Sequence, residues 1–348
     1  MPLFTSSSEC TSATTGERWL LHWVLGIVVA LSLLAFCEIA LRTKGFMPSA
    51  PDDCQLWALE RRRANSGSAR ETLVLVGASR IRLGIDTDLM RRLLPGKRVV
   101  QLAILGQSPY RVLQDLANDK DFHGTIIYDF MERYEHPQPA DQVQSCLDYY
   151  HRRFTIARYA HVILRNIFSG RFVVLSPQFD PRSFGKEFLA RRGFPKPHYI
   201  TYLADRSMIA RPELLVEPYD LAKQALIFES ALQRMAVETN LEEWLGFHKQ
   251  EENWIQLLHN RGAEVVLLRM PSSGRLWMLD EAYHPKASYW DQIAATTLAR
   301  TIHFKSLPGG GVWEQYDESH LDARQAGLFT MLLVQELRRL GVVDERPH

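Results

Sequence analysis

Between Arg18 and Arg42 the chain reads WLLHWVLGIVVALSLLAFCEIAL, the 23 residues Trp19–Leu41, in which only His22 and Glu38 can ionise. At about 1.5 Å per residue, a helix of this length crosses a hydrocarbon core of about 30 Å. Trp19 and Trp23 at one end suit an aromatic interface belt. A cleaved signal peptide has a shorter apolar core, about 7–15 residues, closed by a small-residue cleavage site. Here Leu41 runs directly into Arg-Thr-Lys-Gly-Phe. The run therefore reads as one uncleaved transmembrane helix, and it splits the chain into a short tail (1–18) and a large C-terminal part. Arg18 before the span and Arg42 and Lys44 after it favour a cytoplasmic C-terminal part by the positive-inside rule. That rule is weak for long domains, so charge leaves sidedness open.

After the span, residues 42–70 read as a polar stalk, with Pro48, Pro51, a helical stretch from Gln55 to Arg63 and a small polar patch from Asn65 to Ser68. Arg61, Arg62 and Arg63 read as a solvated helix face or a juxtamembrane contact. The globular domain is expected over 71–343. Thr72–Val76 (TLVLV) is a continuous run of β-branched residues and leucine, the pattern of a strand buried on both faces. Similar runs follow at Arg98–Ile104, Thr125–Tyr128, Ala263–Arg269 and Thr301–Phe304. Helical patterns separate them, at Asp88–Leu94, Pro109–Asn118 and about Tyr289–Arg300. A closing helix is expected over Ala323–Leu340, with Asp322 as N-cap and Gly341 just past its end. Strands alternating with helices predict an α/β fold with a mostly parallel sheet covered on both faces. Residues 134–220 break this rhythm and read either as an insertion over the top of the sheet or as an ordinary helical excursion. One or two long amphipathic helices follow, over Leu221–Arg261.

Lys and Arg total 41 against 40 Asp and Glu, a balance that gives no support for nucleic-acid binding. The scattered histidines lack metal-ligand spacing, and His248 and His259 are too far apart on one helix to share an ion, so no metal or cofactor is expected. Gly309–Gly311 is followed by Val-Trp-Glu and not by the Gly-Lys-Ser/Thr of a phosphate loop. Trp277, Tyr283, Tyr289 and Trp290 read as packing residues able to stack on sugar rings. Of the four cysteines, only Cys54 and Cys146 are placed to pair outside a membrane. Two leftover cysteines in a chain this size are more often free, so both are expected as thiols.

Two short motifs carry chemistry. Gly77-Ala78-Ser79 ends the first strand, and Asp317-Glu318-Ser319-His320 precedes the last helix. Ligands bind beyond the C-terminal strand ends of parallel sheets, so both motifs fall where a site is expected. Ser79 there can attack a carbonyl, His320 can serve as its base, and Asp317, three residues earlier, can orient the imidazole. Taken singly, each motif reads as helix capping; taken together, in this order, they favour catalysis. Gly-x-Ser-x-Gly does not apply, because Ile81 stands where its second glycine would be.

These residues resemble the SGNH (GDSL-like) hydrolase superfamily over roughly 72–130 and 263–340. Gly77-Ala78-Ser79 matches its first block, Gly106 its second, and Asp317 with His320 its last. The resemblance implies a flavodoxin-like α/β/α sandwich with Ser79 as nucleophile, His320 as base and Asp317 as its orienter. The N–H groups of Ser79 and Gly106 would then form the oxyanion hole. Ala78 replaces the usual first-block Asp. No third-block Asn follows the third strand, where the chain reads Tyr128-Asp129-Phe130. An ionised Asp would repel an oxyanion, and a lost donor there is worth about 3–4 kcal/mol. Arg80 and Arg269 are the candidates to compensate or to bind substrate.

The anchor with this domain resembles the membrane-anchored proteins of bacterial glycan O-acetylation and D-alanylation. That implies a single-pass inner-membrane protein with a cytoplasmic tail and an extracytoplasmic (periplasmic) domain. It also implies transfer or hydrolysis of acyl, above all acetyl, groups on a cell-envelope or secreted polysaccharide, beside a multispanning membrane O-acyltransferase. The contrasting readings are a non-catalytic scaffold that binds a polymer or such an acyltransferase, and a lipase with an apolar groove above Ser79.

Overall fold

The computed structural model describes residues 13–66, 71–132, 142–191, 193–235, 240–308, 313 and 315–344. Gly309–Gly311, residues 1–12, Gly67-Ser68 and the start of the expected insertion lie outside them. In chain order the N-terminal elements are α1 (Ala13–Thr43), α2 (Cys54–Ala64), β1 (Thr72–Val76), α3 (Ser79–Gly84), α4 (Thr87–Leu93), β2 (Arg98–Gln101), α5 (Tyr110–Asn118) and β3 (Thr125–Asp129). Next come α6 (Gln142–Arg153), α7 (Ile156–Ser169), α8 (Pro181–Arg191), the strands β4 (Ile200–Tyr202) and β5 (Met208–Ala210), α9 (Pro218–Met235) and α10 (Leu241–Asn260). The chain closes with β6 (Glu264–Arg269), α11 (Gly274–Tyr283), α12 (Trp290–Thr296), β7 (Arg300–His303) and α13 (Ala323–Arg339).

Five strands form one sheet in the order β2-β1-β3-β6-β7, each neighbouring pair parallel. β4 and β5 pair antiparallel as a separate hairpin. Alternate residues of β1 point to opposite faces, as a pleat requires. Val74 and Val76 enter one cluster with Trp57, Leu113, Trp254 and Leu258, from α2, α5 and α10. Leu73 and Leu75 enter the other with Ile81, Met90, Phe329 and Leu333, from α3, α4 and α13. Each of these side chains gains about 1.5–3 kcal/mol by burial. The result is a three-layer α/β domain with cores on both sides of the sheet. The order turns back between β1 and β3, the kind of switch point where doubly wound sheets open a crevice.

Asp322 caps α13 by accepting from the Arg324 and Gln325 amides, and Gly341 follows it with φ +72°, as the sequence predicts. α1 is long and apolar enough to cross a membrane, and its apolar side chains meet no core.

Three expectations are corrected. The segment read as a stalk contains α2, which packs into the domain: Trp57 is fully buried and its indole N–H donates to Leu102 O at 2.9 Å. Arg61 is not solvated. It is fully buried, paired at 2.6 Å with both Asp115 and Asp119 and lying over the Tyr150 ring. Cys54 and Cys146 are not thiols; they form a disulfide joining α2 to α6. The region expected as an insertion divides in two. α6 and α7 pack on α2, while the β4–β5 hairpin packs on α3.

Candidate active site

β1 ends in a turn that only glycine permits at position 77. A Cβ there would sit 2.5 Å from Asp129 Cβ and 2.9 Å from Ile81 Cγ2. This close approach sets Ser79 at the start of α3, half-buried, facing the loop before α13. His320 Nε2 lies 2.8 Å from Ser79 Oγ, and His320 Nδ1 lies 2.7 Å from Asp317 Oδ2. With Asp317 ionised, Nδ1 carries the ring proton and Nε2 is left to accept from the serine hydroxyl. The other Asp317 oxygen, Oδ1, accepts from the Ser319 and His320 amides at 3.1 and 2.8 Å, so one carboxylate shapes the turn and aims the ring. Burial alone would raise the Asp317 pKa. Attraction to the His320 ring, the hydrogen bond from it and the two amides outweigh burial and hold the group below the usual carboxylate range.

Glu318 sits between these residues with φ +60°, in the left-handed region. Its carbonyl accepts from Ser273 N at 3.0 Å, and its carboxylate accepts from Leu276 N at 3.1 Å. The carboxylate occupies the space where Gly274 lacks a side chain; a Cβ there would overlap it. Ser319 accepts from Arg80 Nε at 3.1 Å. The Tyr316 ring lies at 26° to His320 and edge-on to Tyr199 of the hairpin segment. Burial keeps the Tyr316 hydroxyl protonated.

The structure thus brings Ser79, His320 and Asp317 together. It does not open Arg80 or Arg269 to a substrate, since they are 3% and 1% exposed. Arg80 instead bridges the Ser79 turn to the His320 turn. Arg269 lies within 3.1 Å of Glu132 and donates to Asp280 at 2.6 Å and to Met270 O at 3.0 Å. Gly106, with φ +66°, lies on the loop after β2, which is tied to the Ser79 turn by Ile104 N donating to Gly77 O at 3.0 Å. Asp129 is buried beneath that turn. Burial raises its pKa to about 6, against the pull of Arg80, Arg269 and the Ala78 amide. Burial raises Glu132 as well, and it depresses His303, behind Arg269, to about 3, leaving a neutral imidazole.

Among the described residues no group of three or more His, Cys, Asp or Glu is disposed to hold a metal. A cleft of about 480 Å³ opens between residues 46–53 and the hairpin, bordered by Leu105 and Tyr202 but by none of the triad. Gly274, Glu318, Ser319 and Tyr316 were not singled out from the sequence. The available signals were the Ser-Ser-Gly run after β6 and the three residues flanking or inside the Asp-x-x-His motif. No protein-family model, curated protein or solved structure matches this chain.

Proposed function

We propose that this protein is a membrane-anchored serine acyltransferase or esterase, with the flavodoxin-like arrangement that the SGNH resemblance implies. The observation that carries this is the Asp317–His320–Ser79 relay, two contacts of 2.7 and 2.8 Å linking residues 241 positions apart. In the reaction, Ser79 Oγ attacks the acyl carbonyl while His320 Nε2 takes its proton. Collapse of the tetrahedral adduct expels the alcohol, which leaves with that proton. The acyl group on Ser79 then passes to a sugar hydroxyl or to water by the reverse transfer. The Ser79 and Gly106 amides are the proposed oxyanion donors.

The Cys54–Cys146 disulfide supports an extracytoplasmic domain, because such bonds persist in oxidising compartments. The polysaccharide substrate and a multispanning O-acyltransferase partner come with the resemblance. The scaffold reading calls for a Ser79 out of reach of His320, and the contact between them weighs against it.

The test is hydrolysis of p-nitrophenyl acetate by the purified full chain, with covalent labelling by a fluorophosphonate. Turnover and a label on Ser79 are expected in wild type, both lost in Ser79→Ala. A wild type that neither turns over nor labels, or a Ser79→Ala variant that keeps full activity, refutes the reading.

A further inference from the structure

α7 carries apolar side chains on two faces, and on the inner one Tyr159, Val162 and Ile163 pack with Leu56 and Leu59 of α2. The side facing the domain is pinned by polar contacts: Arg165 pairs with Asp53 at 2.7 Å and Asn166 donates to Ala204 O at 2.7 Å, beside buried Val162. The side facing outward is apolar. Leu164, Ile167, Phe168, Phe172 and Leu175 are 43–57% exposed, and Ile156 at the far end is 81% exposed. Leu164, Ile167 and Phe168 share one face of α7 through spacings of three and four residues, and Phe172 and Leu175 follow in the turn after the helix. A contiguous apolar stripe facing water marks an interaction surface.

What covers it follows from where α1 is held. Glu38 lies about one turn before the end of the apolar span, and its two carboxylate oxygens accept from the amides of Val173 and Val174 at 3.0 and 3.1 Å. Arg42 pairs with Glu38 and donates to Arg171 O at 2.6 Å. The last turn of the span and the turn after α7 therefore lie at one level. Phe172 and Leu175 flank the clamped residues directly, and Phe168 stacks on Phe172 at 6.4 Å. An interfacial helix buries its apolar face about 5–10 Å into the headgroup boundary, the depth at which the last turn of α1 stands.

The charge pattern agrees. Between Asp148 and Asp180 the chain carries five arginines and no acidic residue. Arg152, Arg153, Arg158 and Arg171 are exposed at the two ends of the stripe.

We infer that the outward face of α7 and the turn following it lie in the bilayer surface, with their apolar side chains among the acyl chains and their arginines on anionic lipid headgroups. This rests on α1 being the anchor. The domain is then held to the membrane at two points and cannot swing freely on a tether. Asn166 and Gly170 pack against the β4–β5 turn at Ala204, and Arg206 O of that turn accepts from Arg82 of the nucleophile helix at 2.8 Å. The membrane contact thereby fixes the height of Ser79 above the lipid.

The test uses the full chain, Cys37→Ala, reconstituted in vesicles of phosphatidylcholine and phosphatidylglycerol. A thiol-reactive fluorophore is placed at Phe168→Cys, Phe172→Cys, Phe36→Cys in α1, or Met331→Cys on the opposite side of the sheet. Doxyl-labelled lipid should quench the probes at 168 and 172 severalfold more than the one at 331, and less so when phosphatidylglycerol is omitted. Probes at 168 and 172 as unquenched as 331, with 36 quenched, overturn the proposal while leaving the anchor intact. An unquenched probe at 36 overturns the anchor reading and the proposal with it. Quenching independent of phosphatidylglycerol removes the role given to the arginines.

Discussion

The histidine turn stands on a single missing side chain, which makes Gly274→Ala a direct test of how the triad is held. Gly274 has φ +53°, and an added Cβ would overlap the Glu318 carboxyl group, 2.6 Å from both oxygens. Left-handed backbone at a residue with Cβ costs about 1–2 kcal/mol. Pushing the carboxylate off Leu276 N costs about 1.5–3 kcal/mol more, as for a hydrogen bond to a charged group. The sum is about 2.5–5 kcal/mol, read by chemical denaturation. Glu318 lies between Asp317 and His320, so the imidazole shifts with it, and a displacement of about 1 Å at a catalytic group costs on the order of 100-fold. Fluorophosphonate labelling of Ser79 should slow by that factor. Gly341→Ala is the control, since its φ is +72° and nothing lies within 4 Å of the added Cβ. It should show the backbone cost alone and label normally. Equal destabilisation by the two variants, with equal labelling, would show that Glu318 and Gly274 do not brace the turn.

Asp317→Asn should slow labelling by at least about 100-fold, because the amide no longer fixes the tautomer of His320. The folded-state pKa of Asp317 is depressed, so its stabilisation is present above the unfolded value of 3.8 and fades as pH falls. Denaturation curves of Asp317→Asn and wild type should therefore converge in acid, and a gap that widens there refutes the assignment. Asp129 is the opposite case. With its pKa raised from 3.8 to about 6, folding loses about 3 kcal/mol as pH rises through that window. Asp129→Asn should be more stable than wild type at pH near 7.5, and a less stable variant there contradicts the burial argument. Replacing Cys54 and Cys146 by Ala opens a link across 92 residues, which chain entropy puts at about 4–5 kcal/mol; an unchanged denaturation midpoint would refute it. Asp52→Ala leaves Arg82 and Arg206 buried without their shared carboxylate, at about 3–5 kcal/mol, measured in the same way. A loss under about 1 kcal/mol would show those arginines find other partners.

What was legible in the sequence is what depends on neighbours along the chain. TLVLV announces a strand buried on both faces, and Asp322 and Gly341 announce the two ends of α13, because each signal acts within a few residues. Ser79 and His320 were also legible, although 241 positions apart. Both follow strands of a parallel sheet, and parallel strands share one C-terminal edge. Arg61 was not legible, since its burial depends on Asp115 and Asp119, which only the packing of α5 on α2 brings near. Arg80 failed the same way: it sits beside Ser79 in sequence, yet its side chain turns inward to Ser319. The exposed apolar face of α7 was hidden because a helical period shows which residues share a face but not which face meets the core.

Among the described residues two non-glycine residues have positive φ, Glu318 and Arg206, and both brace the candidate site. Glu318 fastens the histidine turn to the start of α11. Arg206, in the β4–β5 turn, donates to Gln101 O at the end of β2 and pairs with Asp52 at 3.0 Å, while its carbonyl accepts from Arg82. Asp52 also pairs with Arg82 at 2.6 Å. The segment after α1, the hairpin, the end of β2 and α3 thus meet at one carboxylate and two buried guanidiniums. Buried ion pairs contribute little net stability, because desolvation offsets their attraction. Strained backbone costs stability outright. A site framed by both is held for position: removing a partner should disorder the turns that carry Ser79 and His320 before it unfolds the sheet beneath them.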